Sequence, residues 1–177
     1  MKKFDLNIEK ILEDWEIYHA IREIIANALD EQLLTKTKDV EIFKSGNCWV
    51  IRDFGRGLKY THLTQNENQE KLDNKSVIGK FGIGLKDAVA TFDRRSVKIS
   101  IKSKYNIITI TKSSKQGFQD IITLHAVIEE PDEIDFIGTE IRLENIIDSD
   151  IENAKKLFLK YAIKKPCLTQ GFFIAIC

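Results

Sequence analysis

Residues 21–30 (IREIIANALD) constrain the chain more than any other stretch, because they combine an apolar face with a line of polar groups. Read as a helix, they place Glu23, Asn27 and Asp30 at i, i+4 and i+7, which is one stripe. The neighbouring rows are apolar and can bury against a sheet: Ile17, Ile21, Ile24, Ile25 and Ala28. Two carboxylates and an amide in line can activate water and hold a hard cation such as Mg²⁺, which often shares its oxygen shell with substrate phosphates. An ordinary amphipathic helix with a polar edge fits the same letters.

The length and composition indicate one globular domain. A chain of 177 residues with 43% hydrophobic and 31% charged residues is long enough to bury a core and too apolar to be disordered. Lysine plus arginine equals aspartate plus glutamate, 27 each, so no global field recruits nucleic acid or an anionic membrane. A local basic patch remains open.

The cysteines and the apolar runs point to a cytoplasmic protein. Cys48, Cys167 and Cys177 are odd in number, widely spaced and without a CxxC pair, which favours neither a zinc site nor a disulfide framework. Residues 1–16 lack a signal-peptide core, and no apolar run reaches the length that spans a membrane.

Strand patterns flank a turn and later fill the second half of the chain. Residues 39–44 alternate apolar and polar, Ser45-Gly46-Asn47 is a turn, and Cys48–Asp53 is the returning strand, which delivers Asp53 to a strand end. Four further strands are predicted at 97–102, 105–112, 118–129 and 137–143. Helices are predicted at 7–34, in one or two pieces, at 85–92 and at 151–163. The lysines of the last helix (155, 156, 160 and 164) favour a solvated face over a nucleic-acid contact.

Two glycine motifs border a long polar segment. DFGRG occupies residues 53–57, and GKFGIG occupies residues 79–84 directly before the second helical pattern. The polar residues between them predict a lid or binding loop. Glycines let backbone amides approach phosphate oxygens, and the following helix N-terminus offers free N–H groups to an anion.

Other readings of these motifs fail on context. DFG occurs in protein kinases, but no HRD-type loop or VAIK strand accompanies it here. The lysine of GKFGIG is not followed by Ser or Thr, so it is no Walker A loop, and no dinucleotide fingerprint follows a first strand. The three histidines have no ligand-like spacing.

The three motifs in this order resemble the GHKL ATPase superfamily, which includes gyrase B subunits, heat-shock chaperone ATPases, MutL and MORC proteins. The resemblance extends from about Glu23 to Thr139. It implies the Bergerat ATP-binding fold: an α/β (α+β) two-layer sandwich with a mixed, mostly antiparallel sheet and helices on one face. It also implies ATP and Mg²⁺ as ligands.

The resemblance assigns a role to each matching residue. Glu23 matches the general base that acts on the attacking water, and Asn27 matches the Mg²⁺ ligand. Asp53 matches the aspartate that accepts a hydrogen bond from the adenine amino group. Asp30 matches the acidic residue that ends the motif containing Glu23 and Asn27, where it supports the metal site. Gly55 and Gly57 would lie near the base, and Thr139 would help to hold the adenine. The residues expected around the triphosphate are Gly79, Lys80, Gly82, Gly84, Leu85 and Lys86.

The resemblance also implies how the chain is organised. We expect an ATP-binding domain at 1–165 with a lid at 59–84, and an apolar tail at 166–177 that is a candidate edge strand, dimer contact or link to a further domain. Lid closure would signal to a protein partner or a second protomer. A non-hydrolysing ATP-gated module and an anti-sigma-type protein kinase remain as alternatives. Glu23 disfavours a histidine kinase, since these have asparagine there, and the lack of room for a transducer domain predicts weak isolated hydrolysis.

Overall fold

The computed structural model describes residues 1–6, 14–63, 77–78, 84–115 and 117–162. The strands are β1 (Lys2–Asp5), β2 (Glu41–Ser45), β3 (Cys48–Asp53), β4 (Lys98–Ser103), β5 (Ile107–Lys115), β6 (Phe118–Glu129) and β7 (Thr139–Glu144). The helices are α1 (Ile17–Thr35), α2 (Gly84–Arg94), α3 (Asp148–Lys156) and α4 (Leu159–Ala162), with a 3-10 turn at Tyr60–Leu63.

The strands form one sheet in the order β1-β6-β5-β4-β7-β3-β2. Every strand pairing in the described ranges is antiparallel. Strand β7 lies between β3 and β4, which places the end of β3 beside the start of β7 and the end of β4. This end of the sheet, where the three strands begin or end, therefore brings together residues from three separate parts of the sequence.

Helices α1 and α2 pack on one face of the sheet and enclose the core. Helix α1 buries Ile21, Ile24, Ile25 and Ala28 of the predicted apolar row, whereas Ile17 of that row is half-buried and Ala20 is buried in addition. These side chains join a cluster with the inward-facing strand residues Ile51, Ile101, Ile141 and Leu143. The predicted two-layer sandwich with a mostly antiparallel sheet is confirmed.

Local chemistry explains where α1 begins and ends. The backbone N–H of Glu16 donates to Nδ1 of His19 (3.0 Å), which satisfies a donor at the helix start. Lys36 adopts the left-handed conformation (φ 53°) that commonly ends helices. The predicted helix start at residue 7 is not confirmed: residues 7–13 lie outside the described range, and α1 begins at Ile17.

Other element predictions also differ from the structure. The helix expected at 151–163 is two helices, α3 and α4, interrupted at residues 157–158. Strand β1 was not predicted, because the sequence KKFD has no alternation and the strand is defined by its pairing with β6. The other strands begin or end within three residues of their predicted bounds, and β3 and β6 match them.

Parts of the predicted domain plan lie outside the described residues. These are most of the lid (64–76 and 79–83) and the whole apolar tail (166–177). The lysines of α3 form local contacts: Lys155 pairs with Glu152, and Lys156 donates a hydrogen bond to Asn153. Lys160 of α4 instead pairs with Asp39, far away in the sequence.

A substitution at Gly138 would test how tightly the backbone is packed at this end of the sheet. A Cβ at Gly138 (φ +81°) would overlap the carbonyl oxygen of Asp53 and lie 2.7 Å from Cα of Phe54. Gly117 has a similar φ of +84° but open space around it, so it is a matched control. We expect Gly138→Ala to lower the free energy of unfolding, measured in urea, by about 1–3 kcal/mol more than Gly117→Ala does. Equal losses would show that backbone strain alone determines the cost.

Candidate functional site

A row of buried polar residues crosses three neighbouring strands at one end of the sheet, where these strands begin or end. Asp53 ends β3 opposite Thr139, the first residue of β7, and Thr139 lies opposite Ser103, the last residue of β4. Asp53 is 6% exposed, Thr139 7% and Ser103 0%. Two residues inward on each strand the side chains belong to the apolar core, so the polar row faces the helices.

The loop after β3 is held to this row by hydrogen bonds. The backbone N–H of Gly55 donates to Oδ1 of Asp53 (2.9 Å). The backbone N–H of Leu58 donates to Oγ1 of Thr139 (3.0 Å), and Oγ of Ser103 donates to the carbonyl oxygen of Leu58 (2.7 Å). The backbone of residues 54–58 is therefore fixed close to the Asp53 carboxylate.

The Asp53 carboxyl is electrostatically perturbed. Burial raises its pKa to about 6, and the negative charge of Glu31 adds to the rise. The hydrogen bonds from Gly55 and from the Thr139 side chain and backbone lower the pKa and only partly offset the burial. A buried carboxyl with unused acceptor capacity is a strong recognition group for a ligand that donates a hydrogen bond.

The polar residues of α1 reach both sides of this region. Asp30 is 1% exposed, and its Oδ1 accepts a hydrogen bond from the backbone N–H of Ile78 (2.7 Å). Glu23 pairs with Arg22 and lies against Gly84, where an added Cβ would overlap its carboxylate. Asn27 is half-buried on the turn between them. The structure thus places the stripe between the chain at 77–78 and the start of α2.

A salt bridge that the sequence analysis missed joins α1 to the loop after β3. Oε1 of Glu31 accepts hydrogen bonds from the backbone N (2.7 Å) and Nε (2.9 Å) of Arg56, and Oε2 accepts one from its terminal nitrogen (3.0 Å). Gly55 lies so close that a Cβ there would overlap Glu31. The available signal was position: Glu31 follows Asn27 by one helical turn, and Arg56 lies within DFGRG.

The start of α2 carries a second unpredicted acid. Burial and the charge of Glu23 raise the pKa of Asp87, while Arg94 and Lys86 lower it. Glu23 and Asp87 therefore place negative charge where α1 and α2 meet. Helix α2 begins at Gly84, one residue before the predicted start at Leu85. Gly79, Lys80 and Gly82 lie outside the described residues.

The structure brings most of the described candidate residues to one region. Glu31 lies near Asp53 and against Gly55, and Glu23, two turns earlier, lies against Gly84. Gly57 (φ +83°) packs against the backbone of Gly138, next to Thr139. Within the described ranges no group of three or more His, Cys, Asp or Glu side chains is arranged to hold a metal ion. None of the described helices is long and apolar enough to cross a membrane.

Comparisons with known proteins give two relatives. The chain is 44% identical over 165 residues to an uncharacterized protein of Mycoplasma pneumoniae, a match covering 90% of this chain and 66% of that protein. It is 28% identical over 165 residues to the B subunit of DNA topoisomerase 4 from Borreliella burgdorferi, a match covering 91% of this chain and 25% of that protein. The chain therefore spans just under two thirds of the first relative and a quarter of the second. No family model matches the chain.

The raised pKa of Asp53 predicts a specific pH dependence of stability. Between about pH 4 and pH 6 the folded protein holds a proton that the unfolded chain has released, so Asp53 lowers the free energy of unfolding as pH rises through that window. Asp53→Asn cannot titrate. Its free energy of unfolding relative to wild type should therefore increase by about 3 kcal/mol from pH 4 to pH 7. Urea unfolding at a series of pH values measures this.

Asp148→Asn is the matched control for that experiment. Lys44 and Trp49 hold the pKa of Asp148 below its ordinary 3.8, so its window lies at lower pH. The stability difference between this variant and wild type should stay level from about pH 4.5 to pH 7. If the stability difference between Asp53→Asn and wild type also stays level with pH, the pKa of Asp53 is not raised by burial.

Proposed function

We propose that this chain is an ATP-binding and ATP-hydrolysing domain of the GHKL type. The observation that carries the proposal is the buried Asp53 carboxyl, held at a strand end beside Thr139 and next to a helix that bears Glu23 and Asn27. Two further findings support it: the antiparallel sheet covered by helices, and the 28% identity to a B subunit of DNA topoisomerase 4.

Adenine recognition is assigned to the polar row. Asp53 accepts a hydrogen bond from the adenine amino group, which compensates a carboxylate that burial otherwise destabilises. Thr139 already binds the loop through Leu58, and Gly55 and Gly57 keep that loop close to the base. A ligand without the amino group would leave Asp53 unpaired, and this penalty makes the site specific.

The triphosphate and its metal are assigned to the region between α1 and α2. Asn27 lies one helical turn after Glu23, and its amide oxygen fits Mg²⁺ when nucleotide phosphates and waters complete the shell. Helix α2 begins with Gly84, Leu85 and Lys86, and the positive end of its dipole favours anionic oxygens. Gly79, Lys80 and Gly82 complete this assignment from the sequence motif.

Hydrolysis is assigned to Glu23. Its carboxylate accepts a proton from the water that attacks the terminal phosphorus, and ADP leaves with the electrons of the broken bond. The contact with Arg22 and the packing against Gly84 fix the position of this carboxylate. Asp30 anchors the segment at Ile78, so we infer that closure of the lid at 59–84 is transmitted through this contact to a partner or a second protomer.

Nucleotide titration of Asp53→Asn tests the adenine assignment. The variant should bind ATP roughly 10- to 150-fold more weakly, because a hydrogen bond to a charged acceptor is lost. Wild-type affinity should also fall as pH drops below about 6, where Asp53 takes up a proton. ATP itself also titrates, and subtracting the pH dependence of the variant's affinity from that of wild type cancels this contribution. Wild-type affinity in Asp53→Asn would mean that the pocket is wrongly assigned, whereas Asp148→Asn should bind normally.

Glu23→Gln separates binding from hydrolysis. We expect it to bind Mg²⁺–ATP with an affinity close to that of wild type while phosphate release falls by about 10²- to 10⁴-fold. Glu152→Gln, on the exposed side of α3, is the control and should leave both quantities unchanged. ATP binding by wild type without phosphate release would favour the non-hydrolysing module. Transfer of label from γ-labelled ATP to a protein would favour a kinase.

A further inference from the structure

Lysines and tyrosines alternate along the same end of the sheet at which Asp53 lies, across the ends of several strands. Lys2 begins β1, Lys59 and Tyr60 follow the loop after β3, and Lys104 and Tyr105 form the β4–β5 turn. We call these five residues the Lys–Tyr strip. We propose that the strip binds single-stranded nucleic acid, with the tyrosine rings stacking on bases and the lysines contacting phosphates. The proposal does not depend on ATP binding.

Cation–π contacts define the geometry of the strip. Nζ of Lys59 lies 4.9 Å and Nζ of Lys104 5.0 Å from the centre of the Tyr105 ring. Nζ of Lys2 lies 5.8 Å from the centre of the Tyr60 ring. The backbone N–H of Tyr60 donates to Oδ1 of Asn106 (3.3 Å), which joins the two halves of the strip. Two ammonium groups thus share one aromatic ring.

The lysines of the strip lack the ion pairs that other lysines have. Lys2, Lys59 and Lys104 are exposed, and none of them forms a salt bridge within the described residues. Glu129, the last residue of β6, and the following Glu130 make no ion pair with these lysines, and Asp132 and Glu133 pair with Lys102 instead. Like charges gathered without a counter-ion repel one another, and a bound anion would relieve that repulsion.

Hydrogen bonds hold the backbone under the strip, including residues 59 and 60 at the start of the proposed lid. Oγ of Ser103 accepts hydrogen bonds from the backbone N–H groups of Tyr105 (3.1 Å) and Asn106 (3.3 Å). The same hydroxyl donates to the carbonyl of Leu58, the residue before Lys59. One buried serine therefore positions two of the three segments that carry the strip, so little ordering entropy opposes binding there.

The combination favours single strands over other polyanions. Fixed aromatic rings stack on exposed base faces without sequence preference, and neighbouring lysines follow the backbone. In a duplex the base faces are occupied by their neighbours, and an acidic peptide has no planar groups to stack. A base on Tyr105 displaces a flexible lysine toward the adjacent phosphate, so one tyrosine and two lysines contribute to a single nucleotide step.

Fluorescence anisotropy with a labelled 20-nucleotide oligothymidine, without ATP and from low to moderate salt, tests the proposal. Wild type should bind with an affinity that falls as salt rises. The double variant Lys59→Ala/Lys104→Ala should reduce the slope of log affinity against log salt by about 1.4, roughly 0.7 for each lost phosphate contact. Lys155→Ala/Lys156→Ala removes the same charge from α3 and should leave the slope unchanged. Unfolding curves of both variants establish that they are folded.

Tyr105 separates stacking from charge. Tyr105→Ala should weaken binding roughly 5- to 150-fold at every salt concentration, while Tyr105→Phe should bind like wild type. A duplex of the same length should bind more weakly than the single strand. The proposal is overturned by absence of binding in wild type, by equal slope losses in the two double-lysine variants, or by polyglutamate displacing the oligonucleotide as well as unlabelled oligothymidine does. The last outcome would identify an acidic protein as the partner.

Discussion

Burial of one carboxyl group, that of Asp53, determines the organisation of this edge of the molecule. The cost of removing a carboxylate from water appears as a pKa raised to about 6, which two kinds of donor, a backbone amide and the Thr139 side chain, only partly offset. Folding must therefore supply the compensation elsewhere, and it does so through the apolar cluster directly inward of the polar row. A destabilised group kept at a fixed position is typical of sites that bind ligands.

Helix α1 connects that carboxyl to the rest of the region. Its apolar face is buried in the core, so its polar edge cannot rotate away, and the side chains on that edge reach neighbouring segments. Glu31 holds the loop after β3 through Arg56, Asp30 holds the chain at Ile78, and Glu23 lies against the start of α2. These contacts explain why several acidic residues on one helix are compatible with a stable fold.

The sequence predicted those features that depend on local periodicity and failed on those that depend on pairing between distant segments. The apolar row of α1 and the hairpin that delivers Asp53 follow from spacings of 3.6 and 2 residues. Strand β1 is defined by hydrogen bonds to β6, and its own residues carry no pattern. The Glu31–Arg56 salt bridge and the approach of Asp87 to Glu23 likewise join residues 25 and 64 positions apart, and local patterns mark the positions but do not pair them.

The Lys–Tyr strip shows that net charge, like local periodicity, does not predict which residues the fold brings together. A net charge of zero argues against nucleic acid only for the molecule as a whole, because the fold separates paired lysines from unpaired ones. Ser103 and Leu58 serve both surfaces: the Leu58 N–H binds Thr139 in the polar row, and its carbonyl binds the serine that supports the Lys104–Tyr105 turn. A ligand that tightens the polar row thereby acts on the backbone that carries Lys59. The two proposed surfaces share one set of hydrogen bonds, so occupancy of one has a direct physical route to the other.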